Sequence, residues 1–223
     1  MSALAKTDDG LLVRPHDARL LYVFAHGAGA GMRHHFLAQA ADVFAGRGIA
    51  TYRYEFPYMQ AGKSRPDSPG VAEAAVRKAV AAAAHAAPGL PLIAGGKSFG
   101  GRMTSQAQAH EALPSVRGLV FLGFPLHAPG RPSTTRAEHL TSVDVPMLFL
   151  QGTRDEFAQL DLLQEVVRGL GDRATLHLID EGDHSFKVPK RTGKTENDVM
   201  NELAATIQQW AARVVSPAAT PRG

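Results

Sequence analysis

The sequence predicts an α/β fold: a mostly parallel central sheet with helices on both faces. Two observations carry that prediction. Short apolar runs alternate with longer segments of helical period along most of the 223 residues, and the runs are rich in leucine and β-branched residues with no tight-hairpin signal between them. Strands linked through helices pair in parallel, with right-handed crossovers that leave both sheet faces covered. In such sheets ligands bind beyond the carboxyl ends of the strands, so the loops that follow strands are where function is sought.

The first expected strand is Leu20 to Phe24, followed by a helix from His34 to Arg47 that carries Phe36, Ala40, Val43 and Phe44. Ile49 to Phe56 is the next strand. Ser68 and Pro69 then provide an N-cap and first helical position for an alanine-rich helix ending at Ala87, before Pro88 and Gly89. Pro91 to Gly95 is a buried strand, Arg102 to Glu111 a helix, and Leu119 to Leu122 and Met147 to Leu150 are further strands. Leu160, Leu163, Val167 and Leu170 form one helical stripe, and Ala174 to Ile179 is the last strand. Thr195 and Asp198 form a capping-box-like start to the final helix, whose apolar face is Val199, Leu203, Ile207, Trp210 and Val214. One domain is expected over residues 1–215, with a flexible tail over 216–223.

A hydrophobic share of 44% with 20% charged residues is ordinary for a globular chain. The formal charge is only +3 and its carriers are dispersed, so neither nucleic acid nor a membrane surface is expected as a partner. The densest basic stretch, Lys187, Lys190, Arg191 and Lys194, reads as a solvated loop. There is no cysteine, which removes disulfides, thiolate metal sites and a thiol nucleophile. No signal-peptide pattern and no run of 18 apolar residues is visible, so a cytoplasmic protein is expected.

Directly after the strand ending at Gly95 come Gly96, Lys97, Ser98, Phe99, Gly100 and Gly101, and then a helix. This is G-x-S-x-G in its strand–turn–helix context, where a sharp turn lifts the serine hydroxyl above the sheet and flanking glycines avoid collisions with neighbouring elements. A phosphate loop is the competing reading of Gly96-Lys97-Ser98, but its first glycine would fall at Pro91.

A serine hydroxyl needs a base to take its proton, and the base needs a carboxylate to orient it. Asp155, in Gln151-Gly152-Thr153-Arg154-Asp155 just past a strand, is the expected acid, with Glu156 as the adjacent substitute. His184, in Gly182-Asp183-His184-Ser185-Phe186 beyond the last strand, is the expected base, with Asp183 as a tether for its loop. The oxyanion donors are expected to be the backbone N–H groups of Phe99 and Ala28. Ala28 lies in the glycine-rich loop His26-Gly27-Ala28-Gly29-Ala30-Gly31 after the first expected strand, with His26 ordering that loop.

That loop, with Glu55 at the end of the next strand, also has a dinucleotide-binding look. Its glycines at 27, 29 and 31 do not fit G-x-G-x-x-G, because position 32 is Met32. No zinc-protease helix is present, and adjacent His34 and His35 point in different directions on a helix. No cofactor and no metal is expected.

The segments H-G-A-G-A, G-G-K-S-F-G-G-R, F-L-G-F-P-L-H, Q-G-T-R-D and G-D-H-S-F, with the T-E-N-D-V helix, span nearly the whole chain. Together they resemble a small α/β-hydrolase-like family of bacterial hydrolases, the testis-expressed protein 30 and the hydrolase-like subunit of the non-specific lethal complex. They are also similar to dienelactone-hydrolase-type enzymes, whose cysteine nucleophile this chain lacks. The resemblance implies an α/β-hydrolase fold and places Ser98, Asp155 and His184 at the family's triad positions. His127, in F-P-L-H, recurs in the family pattern, either lining the cleft or serving structure. Only Pro125 to Leu140 is free to form a lid, and it is too short for a cap domain. The expected activity is ester or thioester cleavage of a small acyl substrate; the alternative is a non-catalytic binding or scaffold protein on the same fold.

Overall fold

The computed structural model describes residues 2–7 and 10–215. Eight strands form one sheet: β1 (Ser2–Thr7), β2 (Gly10–Pro15), β3 (Leu20–Ala25), β4 (Ile49–Tyr54), β5 (Leu92–Lys97), β6 (Val116–Leu122), β7 (Met147–Gly152) and β8 (Ala174–Ile179). Their spatial order is β1-β2-β4-β3-β5-β6-β7-β8. From β4 to β8 all pairings are parallel, while β1 and β2 form an antiparallel ribbon on the β4 edge. The helices are α1 (His35–Ala45), α2 (Pro57–Gln60), α3 (Pro69–Ala86), α4 (Phe99–His110), α5 (Leu160–Leu170) and α6 (Glu196–Val215). No cap domain is inserted. No helix among the described residues is long and apolar enough to cross a membrane.

The period-two pattern of β3 explains why both faces need cover. Leu21, Val23 and Ala25 face one core, with α3, α4 and α5. Leu20, Tyr22 and Phe24 face the other, with α1 and α6. A strand apolar on both faces is stable only between two helical layers. The final helix starts as its residues dictate: Thr195 Oγ1 accepts the Asp198 N–H at 3.1 Å, and the Asp198 carboxylate accepts the Thr195 N–H at 2.8 Å.

The expected elements are present, with differences that include the short α2, which the sequence reading lacks. The β1–β2 ribbon is absent from the sequence reading, because Ser2–Thr7 has Leu4 as its one large apolar residue and pairing with β4 through β2 is non-local. The helix expected from Arg102 begins at Phe99: Gly100 and Gly101 are poor helix formers that suppress the local signal. A Cβ on Gly100 would lie 2.7 Å from Cβ of Ala25, so glycine lets this first turn press against β3. The segment after β6 carries a 3₁₀ turn, Thr135–Ser142, against α4. The tail expected over 216–223 lies outside the described residues.

Candidate functional site

The strand order reverses at β3, with β4 on one side and β5 on the other. The loops after β3 and β5 therefore lie side by side at the carboxyl edge, the point where open α/β sheets bind ligands. These two loops are His26 to Gly31 and the turn at Ser98.

Ser98 has φ 50° and ψ −117°, a positive-φ conformation that a residue with a Cβ rarely adopts. Two features hold it there. Its N–H donates to Leu122 O on β6 at 3.1 Å, and its own carbonyl accepts the Arg102 N–H at 3.1 Å as the first bond of α4. Gly96 completes the turn, since a Cβ there would meet the Ala25 carbonyl of β3. The strain leaves the side chain projecting from the sheet edge.

Beyond β8, His184 reaches back to this serine. Its Nε2 is 2.9 Å from Ser98 Oγ and its Nδ1 is 2.7 Å from Asp155 Oδ2. Asp155 is buried beyond β7, and the remaining capacity of its carboxylate is also satisfied. Oδ1 accepts the Phe157 N–H at 2.8 Å, and Oδ2 accepts a second bond from the Gln151 amide. Glu156, the substitute acid, faces solvent. The Phe157 ring lies over the imidazole, with centroids 4.3 Å apart. Residues 86 positions apart in the chain are thus joined in one linear array, Asp155 to His184 to Ser98.

The glycine-rich loop after β3 is organised as its histidine suggests. His26 is fully buried; its Nε2 accepts the Phe56 N–H at 3.1 Å, which requires the proton on Nδ1, and Nδ1 donates to Gly27 O at 2.9 Å. Burial pushes His26 below the usual histidine range, against the Gly27 bond and Glu55, which raise it. Glu55, the residue that gave the loop its dinucleotide-binding look, accepts the Met32 N–H at 3.1 Å and pins the loop's far end. The Gly29 N–H donates to Tyr58 Oη at 3.3 Å and the Ala30 N–H to Gly27 O at 3.2 Å.

Sequence reasoning missed Lys97. It was weighed as part of a phosphate loop, yet its ammonium is buried with no hydrogen-bond partner. A Cβ on Gly123 would lie 3.1 Å from Lys97 Nζ and 3.4 Å from both Asp155 Oδ2 and His184 Cε1, so the cation sits behind the Asp155–His184 pair. Burial pushes Lys97 down to about 8, and the charges of Asp155 and Asp183 oppose that shift. A lysine inside a glycine-rich turn gives no sign of its direction, because the side chain's path depends on β6 and the His184 loop. His127, left open between cleft and structure, is structural: Nε2 accepts the Gln159 N–H at 2.9 Å and Nδ1 donates to Ala128 O at 2.9 Å. Asp183 tethers its loop as expected, accepting the N–H groups of Ser185 and Lys187 at 2.8 and 2.9 Å.

A cavity of about 420 Å³ opens beside Ser98 and His184. Gly27 and Ala28 form one side and the ends of α1 and α6 the other. His34 and His35 stand at its edge with ring centroids 4.3 Å apart. Among the described residues no group of three or more His, Asp or Glu is placed to hold a metal ion.

An open, helix-covered parallel sheet with a serine turn after its fifth strand and a histidine loop after its eighth defines the class. The family model described as "Alpha/beta hydrolase domain" matches residues 18–212, and the chain belongs to that family. Among solved structures, it is similar to a dienelactone hydrolase from Anabaena variabilis, at 19% identity and a TM-score of 0.71, covering 96% of this chain and 97% of that one. It is also similar to a lidless α/β serine hydrolase from Xanthomonas campestris, at 19% identity and a TM-score of 0.68, covering 98% and 96%. The ferulic-acid-bound Est1E from Butyrivibrio proteoclasticus aligns at 14% identity and a TM-score of 0.70, covering 96% and 100%.

Proposed function

We propose that the protein is a serine hydrolase that cleaves an ester or thioester of a small acyl substrate through an acyl-enzyme. The observation that carries this reading is the continuous array from Asp155 Oδ2 through His184 to Ser98 Oγ, with contacts of 2.7 and 2.9 Å. The serine nucleophiles of the lidless Xanthomonas campestris relative's class and the ester chemistry of the esterases among the neighbours agree with it.

In this mechanism Ser98 Oγ attacks the carbonyl carbon while His184 Nε2 takes its proton. Asp155 keeps the other imidazole proton on Nδ1 and stabilises the imidazolium that forms. The carbonyl oxygen becomes an oxyanion, which the backbone N–H groups of Phe99 and Ala28 hold; that the Gly29 and Ala30 amides are engaged elsewhere supports Ala28 as the donor from its loop. The tetrahedral intermediate collapses, the carbon–oxygen or carbon–sulfur bond breaks, and the leaving group receives the proton from His184. Water then repeats the sequence on the acyl-enzyme, with His184 as base, and releases the acid.

The test is labelling with a fluorophosphonate probe, comparing the native chain with Ser98→Ala and His184→Ala. Labelling of the native chain that disappears in both variants is expected. A folded native chain that never labels overturns the reading and leaves a binding or scaffold role on this fold.

A further inference from the structure

The loop that carries His184 holds two non-glycine residues with positive φ, Glu181 at 58° and Phe186. Phe186 has φ 63°, which a bulky side chain adopts only when its surroundings impose it. Asp183 imposes it. The backbones of Asp183 and Lys187 are tied by a 3.0 Å bond, the Phe186 N–H donates to Asp183 O at 2.9 Å, and the Asp183 carboxylate takes the two flanking N–H groups. The loop is thereby closed into a tight clasp whose apex residue turns its ring inward.

That ring is 3% exposed, and it forms a wall of the cavity beside Ser98. It lies parallel to Phe36 of α1, with centroids 6.2 Å apart and planes 15° apart. Val199 and Met200, near the start of α6, line the same cavity. These four side chains are the apolar part of a lining that also includes Ser98 and the polar residues Gln39, Lys187 and Glu196, and the cavity is of a size suited to a small organic group.

Resting on the serine-hydrolase reading, we propose that this chamber receives the apolar group of the ester, and that Phe186 and Met200 set how long that group can be. Such a group leaves water as it enters, and each buried methylene contributes to binding in the transition state. Selectivity then follows length: kcat/KM rises about four-fold per added methylene until the chamber is full, and falls beyond that. Holding Phe186 in a costly conformation is explained by this role, since a relaxed loop would let the ring swing away from the wall.

The experiment measures kcat/KM for p-nitrophenyl esters of increasing acyl length and for alkyl acetates of increasing alcohol length, so that the side of the scissile bond housed in the chamber is read directly. The native chain is compared with Met200→Trp, which fills the chamber, and Phe186→Ala, which enlarges it. A length-dependent rise in either series, cut short by Met200→Trp and extended by Phe186→Ala, is expected. Thermal melting reports whether each variant is folded, and Val199→Phe on the same wall replaces Met200→Trp if that one is not. Flat length profiles, or profiles the folded variants leave unchanged, overturn the chamber while fluorophosphonate labelling of Ser98 keeps the hydrolase reading intact. Loss of labelling and of hydrolysis in the native chain overturns both.

Discussion

Two serine–histidine pairs occur among the described residues at nearly the same distance. Ser98 Oγ lies 2.9 Å from His184 Nε2, and Ser105 Oγ lies 2.8 Å from His139 Nε2. The second pair has no chemistry to offer. Ser105 is in the interior of α4, wholly buried, and its hydroxyl proton is donated to Arg102 O at 2.9 Å, so His139 is the donor and the serine the acceptor. Burial, with the charge of Arg102 next in size, pushes His139 down to about 4, and no carboxylate backs it. The first pair reverses each of these conditions. Ser98 is at a strand end in a strained turn, its partner is oriented by Asp155, and a cavity opens beside it. A hydrogen bond between the right residue types is therefore not a site; proton direction, the third residue and access make the difference.

The comparison breaks most visibly at the carboxylate. Asp155→Asn keeps the shape of the array but offers Nδ1 of His184 no anion, and ester turnover should fall by about 10⁴-fold. Ser105→Ala should leave the same assay within a few-fold of the native rate, and should lower unfolding free energy by about 1 kcal/mol in urea titrations. A Ser105→Ala chain as inactive as Asp155→Asn would sink the distinction.

A smaller effect concerns stability rather than rate. Lys97 goes from 10.5 to about 8 on folding, so between those values the unfolded chain holds a proton the folded chain has released. Stability therefore rises with pH across that window, by on the order of 3 kcal/mol from a shift of roughly 2.5 units at 1.36 kcal/mol each. Lys97→Met should remove this rise and be the more stable chain at pH 7, as read by denaturant midpoints at pH 7 and pH 10. A native chain whose stability is flat over that range would contradict a buried ammonium that lacks a hydrogen bond.

The quiet pair makes the last prediction. His139 is depressed from 6.5 to about 4, so its contribution is present above 6.5 and is lost as pH falls towards 4, where the unfolded chain binds the proton first. His139→Gln should flatten the wild-type loss of stability in that interval, measured by thermal melts from pH 7 to pH 4. Equal slopes for both chains would show that His139 is not the group responsible.

The same contrast explains what was legible beforehand. Ser98, Asp155 and His184 were readable because each follows a strand whose apolar run marks it, and the glycines around Ser98 have a steric cause. Ser105 and His139 carry no such signal, and neither does the inward path of Lys97. Asp183 and His26 could be assigned as loop-ordering residues from position, but Phe186, two residues beyond the histidine, read only as part of a motif. Its role depends on a backbone angle and on α1 and α6, which are contributed from distant parts of the chain.

By itself the sequence determined the β–α alternation from Leu20 onward, the two apolar faces that demand two helical layers, and the strand ends where chemistry would gather. Those follow from local periodicity and from the steric limits on tight turns, which act within a few residues. Only the tertiary structure decided that β1 and β2 extend the sheet, that one serine–histidine pair is aligned with a carboxylate while another is a staple, and that a lysine is buried without a hydrogen bond, its ammonium over the Phe186 ring. Those depend on which groups long-range packing brings within a few ångströms, where desolvation and the direction of a shared proton are set.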